Sequence, residues 1–335
     1  LLSAPPRPSP SSSPFPPPPS LLPQGERARR ASGGRPSGGG RAGPARRGAR
    51  RRAPGLRGAM PPVPVEVCVE TVAGARAAAA GGAARVEVCS ALGSEGGLSP
   101  GAGLLAGVVG ALRDFPGCAV MSMVRPRGGD FLYSTDDLAV MEADVRHAKA
   151  AGADGVVFGL LEAGGEVDLA SCTHLARLCA ELQLDFTFHR AVDASCDPVQ
   201  AVVSLARAGF RRVLTSGGHA RAVDGAGTIR AMVDAVKGTG LRVMVGSGVR
   251  PDNVVRLLRE TGAHEAHGSC RTEVQSAFRH RPAVSFSASG SDYTRHETDT
   301  EQVRALVAAA AAIPRPSSGK AHSHPRECDA GGPAF

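Results

Sequence analysis

The chain has 335 residues, a formal net charge of +8 and an aromatic content of only 4%. The charge is concentrated at one end: residues 1–59 carry twelve Arg, Glu26 as their one acid and no Lys, a sum of 12 − 1 = +11, so the rest sums to 8 − 11 = −3. A high isoelectric point that belongs to one segment does not make the chain a nucleic-acid binder, and scarce aromatics leave few surfaces for stacking bases.

Residues 1–59 also hold thirteen of the 26 prolines, with long Ser/Gly tracts. Such a composition buries too little apolar surface to offset its ordering entropy, so the arm is expected to be disordered. The first Met is Met60. The arm is therefore either outside the working protein, or a transit or nuclear-localising segment centred on Arg46 to Arg52; its prolines argue against a transit helix. No apolar run approaches the roughly 18 residues of a membrane span. Eight Cys without dense spacing point to a reducing, intracellular setting rather than a disulfide scaffold.

From Met60 to Ile313 the pattern alternates. Strands are predicted at 63–69, 85–89, 119–124, 155–158, 185–188, 212–214, 242–245 and 264–267. Helices are predicted near 71–80, 101–113, 135–150, 168–182, 198–208, 225–237, 252–261 and 299–313. Asp197-Pro198 reads as a cap followed by Pro in the first turn. Thr298 and Glu301 read as a capping box. Gly152, Gly209 and Gly262 suit left-handed helix ends. Eight such alternations predict one TIM-like (β/α)8 barrel over 60–313, followed by a disordered tail, 314–335. An open doubly wound sheet is the alternative; Gly246-Ser-Gly248 breaks the dinucleotide-binding fingerprint.

A barrel carries its site at the C-terminal strand ends. In the first two strands, Val alternates with Glu66, Cys68, Glu87 and Cys89, which period two turns inward. Neighbouring strands lie about 4.8 Å apart, so Cys68 and Cys89 could share a soft ion such as Cu(I). Strand three runs into Arg125-Pro-Arg127-Gly-Gly, an anion-receiving loop in character. In strand five Phe186 and Phe188 face the helices, which turns Thr187 and His189 inward, near Arg190 and Asp193. Strands six and seven end in Thr215-Ser216-Gly217-Gly218 and Gly246-Ser247-Gly248, small residues suited to a backbone anion cup. Strand eight places Glu265, His267 and Ser269 in one phase.

These motifs resemble the copper homeostasis protein CutC family over nearly all of residues 63–313. The matching stretches are Glu66-Val-Cys68, Arg85-Val-Glu-Val-Cys89-Ser, Ser94-Glu-Gly-Gly97, Arg125-Pro-Arg-Gly-Gly-Asp-Phe131, Thr187-Phe-His-Arg190 with Asp193, Leu214-Thr-Ser-Gly217 and Glu265-x-His267. Gly93, an extra loop residue, and the Gly-Ser-Gly turn depart from the pattern. The resemblance implies a TIM-like barrel, a cytoplasmic and partly nuclear location, self-association into a dimer or tetramer, and Cu(I) held by Cys68 and Cys89.

Two functions follow as expectations. One is a Cu(I)-binding homeostasis protein. The other is an enzyme acting on a small anionic or phosphorylated metabolite, with Glu87, Arg125, Arg127, His189, Asp193, Glu265 and His267 as catalytic residues. Its anion cup would be Thr215, Ser216, Gly217 and Gly218 with Gly246 and Gly248. A nucleic-acid role would need the arm and would give only salt-sensitive contacts.

Overall fold

The computed structural model describes residues 62–285 and 292–313. The expected arm, 1–59, and tail, 314–335, lie outside the described residues.

Eight parallel strands close into a barrel in chain order: β1 (Val65–Val69), β2 (Arg85–Val88), β3 (Ala119–Met123), β4 (Gly155–Phe158), β5 (Asp185–Phe188), β6 (Arg212–Thr215), β7 (Arg242–Val245) and β8 (Glu265–Gly268). The ring is closed where β1 pairs with β8, Glu66 opposite His267. Helices α1 (Val72–Ala80), α2 (Ala102–Ala111), α3 (Thr135–Ala151), α4 (Leu169–Glu181), α5 (Pro198–Arg207), α6 (Ala226–Ala235) and α7 (Val254–Thr261) cross between successive strands. α8 (Thr300–Ala311) packs against α7 and α1. This is the (β/α)8 architecture expected, because a parallel crossover needs a helix. None of the described helices is long and apolar enough to cross a membrane.

The outward strand residues form the main core with the helices. Val65, Val67, Val69, Val86 and Val88 are buried there with Leu105, Val108, Leu175 and Leu257. Each fully buried side chain of this size contributes about 1.5–3 kcal/mol. Phe158, Phe186, Phe188 and Phe210 pack with ring centroids 5.1–6.0 Å apart, so the outward phase of β5 is as the alternation predicts. The smaller interior cluster is Cys89, Met121, Met123 and Val157.

Local signals differ in one case. Asp197 caps α5 by accepting from the Val199 and Gln200 amides, with Pro198 in the first turn. Gly152 and Gly262 are left-handed caps. The capping box predicted at Thr298 is not formed: Asp299 caps α8 instead, accepting from the Gln302 amide. Thr298 is engaged in a strand that the sequence reading does not contain. An antiparallel pair, β9 (Arg271–Gln275) and β10 (Thr294–Thr298), stands between β8 and α8.

Candidate functional site

The N-terminal ends of the strands fill the barrel floor with charge. Arg85 Nε donates to Glu66 Oε2 at 2.8 Å, and its Nη2 donates to Glu265. Arg212 donates to the same Glu265 oxygen at 3.1 Å and to Asp185 at 2.9 Å. Arg242 lies 3.4 Å from the other Glu265 oxygen. Glu66 and Glu265 are fully buried. A buried carboxylate requires such partners, and three Arg at first strand positions supply them. Glu265 is thus placed at the floor, away from the mouth where the sequence reading set it: as the first residue of β8 it shares a level with those arginines.

One level higher, β1, β2 and β8 converge. Register sets Cys68 opposite Glu87 and Glu66 opposite His267. One donor atom each from Cys68, Glu87 and His267 lies within 4.8 Å of the others, and all three residues are buried. His267 Nδ1 is 2.9 Å from Glu66 Oε1, while Nε2 is 3.8 Å from Glu87 Oε2. Burial pushes the Glu66 carboxyl up, but Arg85 and His267 outweigh it and hold it below the ordinary carboxylate range. The ionised Glu66 accepts a hydrogen bond from Nδ1–H; burial opposes the charge on His267, but Cys68, Glu66 and Glu87 outweigh it and hold its pKa well above the ordinary imidazole value, so an ion would displace the Nε2 proton that faces Cys68 and Glu87. This is the carboxylate–histidine arrangement that orients metal-bound imidazoles.

Glu87 itself is under-provided. Its Oε1 has no hydrogen-bond partner. Burial raises its pKa to about 7 despite nearby His267. A bound cation would satisfy that oxygen and compete with the proton. The donor set fits copper: a soft thiol, an imidazole and a carboxylate. The trio was legible only in part, since the sequence reading paired Cys68 with Cys89. Because Cys68 faces Glu87 across the strands, Cys89 sits two residues farther along, just past the end of β2, its Sγ 3.6 Å from Glu87 Oε2. Burial pushes the Cys89 thiol well up.

Above the trio opens a cavity of about 870 Å3. Among the residues expected at the site, it is lined by Cys68, Glu87, Arg125, His189, Asp193, Gly218, Gly248 and His267. Cys89, Arg127, Thr215, Ser216, Gly217, Gly246 and Glu265 are not among its lining residues. Arg127 is outside, pairing with Asp130 and Asp137 and lying over the Tyr133 ring.

The backbone cup after β6 is filled from within the chain. Asp193, held in a short 3-10 helix (Arg190–Ala194), accepts from the Ser216 amide at 2.9 Å, the Ser216 hydroxyl at 2.9 Å and the Gly218 amide at 3.1 Å. The Thr215 hydroxyl donates to the same carboxylate, and Arg190 Nε donates to it at 2.9 Å. Gly217 permits this turn: its φ is +73°, and a Cβ would collide with the Gly225 carbonyl. The Ser216 and Gly218 amides are therefore committed to a side chain. After β7, Gly246 gives its amide to the Thr215 carbonyl at 2.9 Å, and Ser247 turns its hydroxyl to the Ala220 carbonyl at 2.6 Å.

Arg125 is different. Its guanidinium gives Nη1 to the Glu95 and Gly97 carbonyls and Nη2 to the Gly129 carbonyl. His189 accepts the Ala191 amide on Nδ1 at 3.1 Å. Burial, helped by the Arg125 charge, lowers the His189 pKa to about 3. The contact of Phe131 with both residues had no signal in the sequence beyond its place in the Arg125–Phe131 motif.

The pattern that describes the CutC family matches residues 63–272. The chain is 43% identical over 249 residues to the copper homeostasis protein cutC homolog of Mus musculus, covering 73% of this chain and 89% of that protein. The Homo sapiens protein of the same name matches at 43% over 249 residues, covering 73% and 88%. The crystal structure of the putative copper homeostasis protein CutC from Streptococcus agalactiae superposes with a TM-score of 0.57 at 29% identity, covering 62% of this chain and 98% of that one.

Proposed function

Because the chain belongs to the CutC family, we propose that it is a copper-homeostasis protein that holds Cu(I) on Cys68, Glu87 and His267. The observation that carries this reading is the convergence of three buried donors within 4.8 Å, with His267 oriented by Glu66. The thiol of Cys68 and the Nε2 of His267 are the donors that suit a soft ion; Glu87 offsets its charge. Cys89, whose Sγ lies 3.6 Å from Glu87 Oε2, is the second thiol of the proposed site.

Competition against a chromophoric Cu(I) chelator tests it. Cys68→Ser and His267→Gln are each expected to weaken binding by about tenfold or more, and Cys89→Ser by less. Binding unchanged in both Cys68→Ser and His267→Gln removes the site. Cytoplasmic and nuclear residence and assembly into a dimer or tetramer belong to the same reading. Fractionation and light scattering test those two points.

A further inference from the structure

Two buried donors at the cavity wall have nothing to donate to. Among the described residues, Arg125 Nε and His189 Nε2 have no hydrogen-bond partner. Arg125 is 7% exposed and His189 4%, and both line the 870 Å3 cavity. The tautomer of His189 is set by geometry. Nδ1 accepts the Ala191 amide, so the proton sits on Nε2 and that atom can only donate.

Arg125 also has no carboxylate partner among the described residues. Its partners Glu95, Gly97 and Gly129 offer neutral carbonyls, and no described carboxylate oxygen approaches it within ion-pair range, whereas Arg85, Arg190 and Arg212 all have one. A buried cation without a counter-ion and a buried N–H without an acceptor are each unfavourable away from water. The anion-cup residues after β6 cannot answer this, since Asp193 occupies them.

We propose that Arg125 and His189 form an oxyanion subsite in the cavity, for the carboxylate or phosphate group of a small molecule. The donors stand after β3 and β5, whereas the Cys68–Glu87–His267 trio belongs to β1, β2 and β8. The subsite is thus separate from the metal donors and shares only the cavity with them. The half-buried Phe131 ring lies 5.0 Å from the Arg125 guanidinium and 5.1 Å from the His189 ring. It forms the wall of the subsite beside both donors. The inference does not rest on copper binding.

The test uses metal-free full-length protein, with inorganic phosphate and malonate as probes. Calorimetry is expected to show saturable binding of at least one, and its preference distinguishes phosphate from carboxylate. His189→Phe should weaken that binding about tenfold or more, the value of one hydrogen bond to a charged group. In the unaltered protein the His189 Nε2 NMR signal should shift with the same saturation curve. Cys68→Ser should leave oxyanion affinity within about twofold while copper affinity falls. Absence of saturable binding of both probes up to about 10 mM overturns the subsite. So does a His189 signal that ignores bound phosphate, or a joint loss of both affinities in Cys68→Ser.

Discussion

His267 stands on Glu66: the imidazole Nδ1 is 2.9 Å from Glu66 Oε1, across the seam where the last strand meets the first. Glu66 donates no electrons to an ion, yet it decides which nitrogen of His267 can. Glu66→Gln keeps the size and removes the charge. It is expected to weaken Cu(I) binding by about ten- to a hundredfold without removing a ligand. Chelator competition reads the loss; circular dichroism must show the fold intact. Affinity within twofold of the parent would mean the contact is structural only.

Glu265 gathers the floor of the barrel. Glu265→Ala leaves Arg85, Arg212 and Arg242 without their shared acceptor. Removing one member of a buried ionic group costs about 3–5 kcal/mol. Denaturant unfolding should show that loss, while Cu(I) affinity changes only a few-fold, because Arg85 keeps Glu66. A large change in affinity with little change in stability would reverse the assignment of Glu265 to the floor.

His189 makes stability depend on pH. Its pKa is lowered from 6.5 to about 3 in the fold, by burial first and then by Arg125 and Arg190, with Asp193 opposing them. Between these values the unfolded chain binds the proton and the folded chain does not. The contribution is therefore full above about pH 6.5 and is lost as pH falls toward 3, at about 1.4 kcal/mol per pH unit. His189→Phe should lose less stability than the parent between pH 6.5 and 4. Equal slopes in the two proteins would show that His189 takes up its proton in the fold.

Asp193 acts as an internal anion. Asp193→Ala strips acceptors from the Thr215 and Ser216 hydroxyls and from the Ser216 and Gly218 amides. A loss of about 3 kcal/mol is expected from several unmet donors. Added acetate should then raise the melting temperature of the variant and leave the parent unchanged, since the emptied cup is an anion site. No rescue would mean that the loop collapses rather than waits.

Much of this was legible in the sequence. Val alternation in β1 and β2 set their faces, and the eight strand–helix repeats set the barrel. The inward phase of Glu66, Cys68, Glu87 and His267 was legible too. What was not legible was level. Period two says which side a residue faces, not how far along the axis its neighbour lies. Hence Cys68 stands opposite Glu87, with Cys89 two residues farther along, and Glu265 falls to the floor. Arg85 shares the phase of Glu87, so its inward role had a signal that went unused. The small-residue run after β6 suggested an external anion because Asp193, more than twenty positions earlier, was not known to reach it. The β9–β10 pair was missed because eighteen residues, including Pro282 and Ser/Gly, separate its strands. With no short turn, neither half carries a hairpin signal.

The pairing of β1 with β8 also dictates when the metal donors can meet. Cys68 and Glu87 leave the ribosome early, whereas His267, which contacts Glu66 from 201 positions away, is among the last strand residues made. A nascent chain therefore holds two donors and lacks the third until β8 has been made and has paired with β1. In the proposed copper site, an occupied centre would therefore report that the ring has closed.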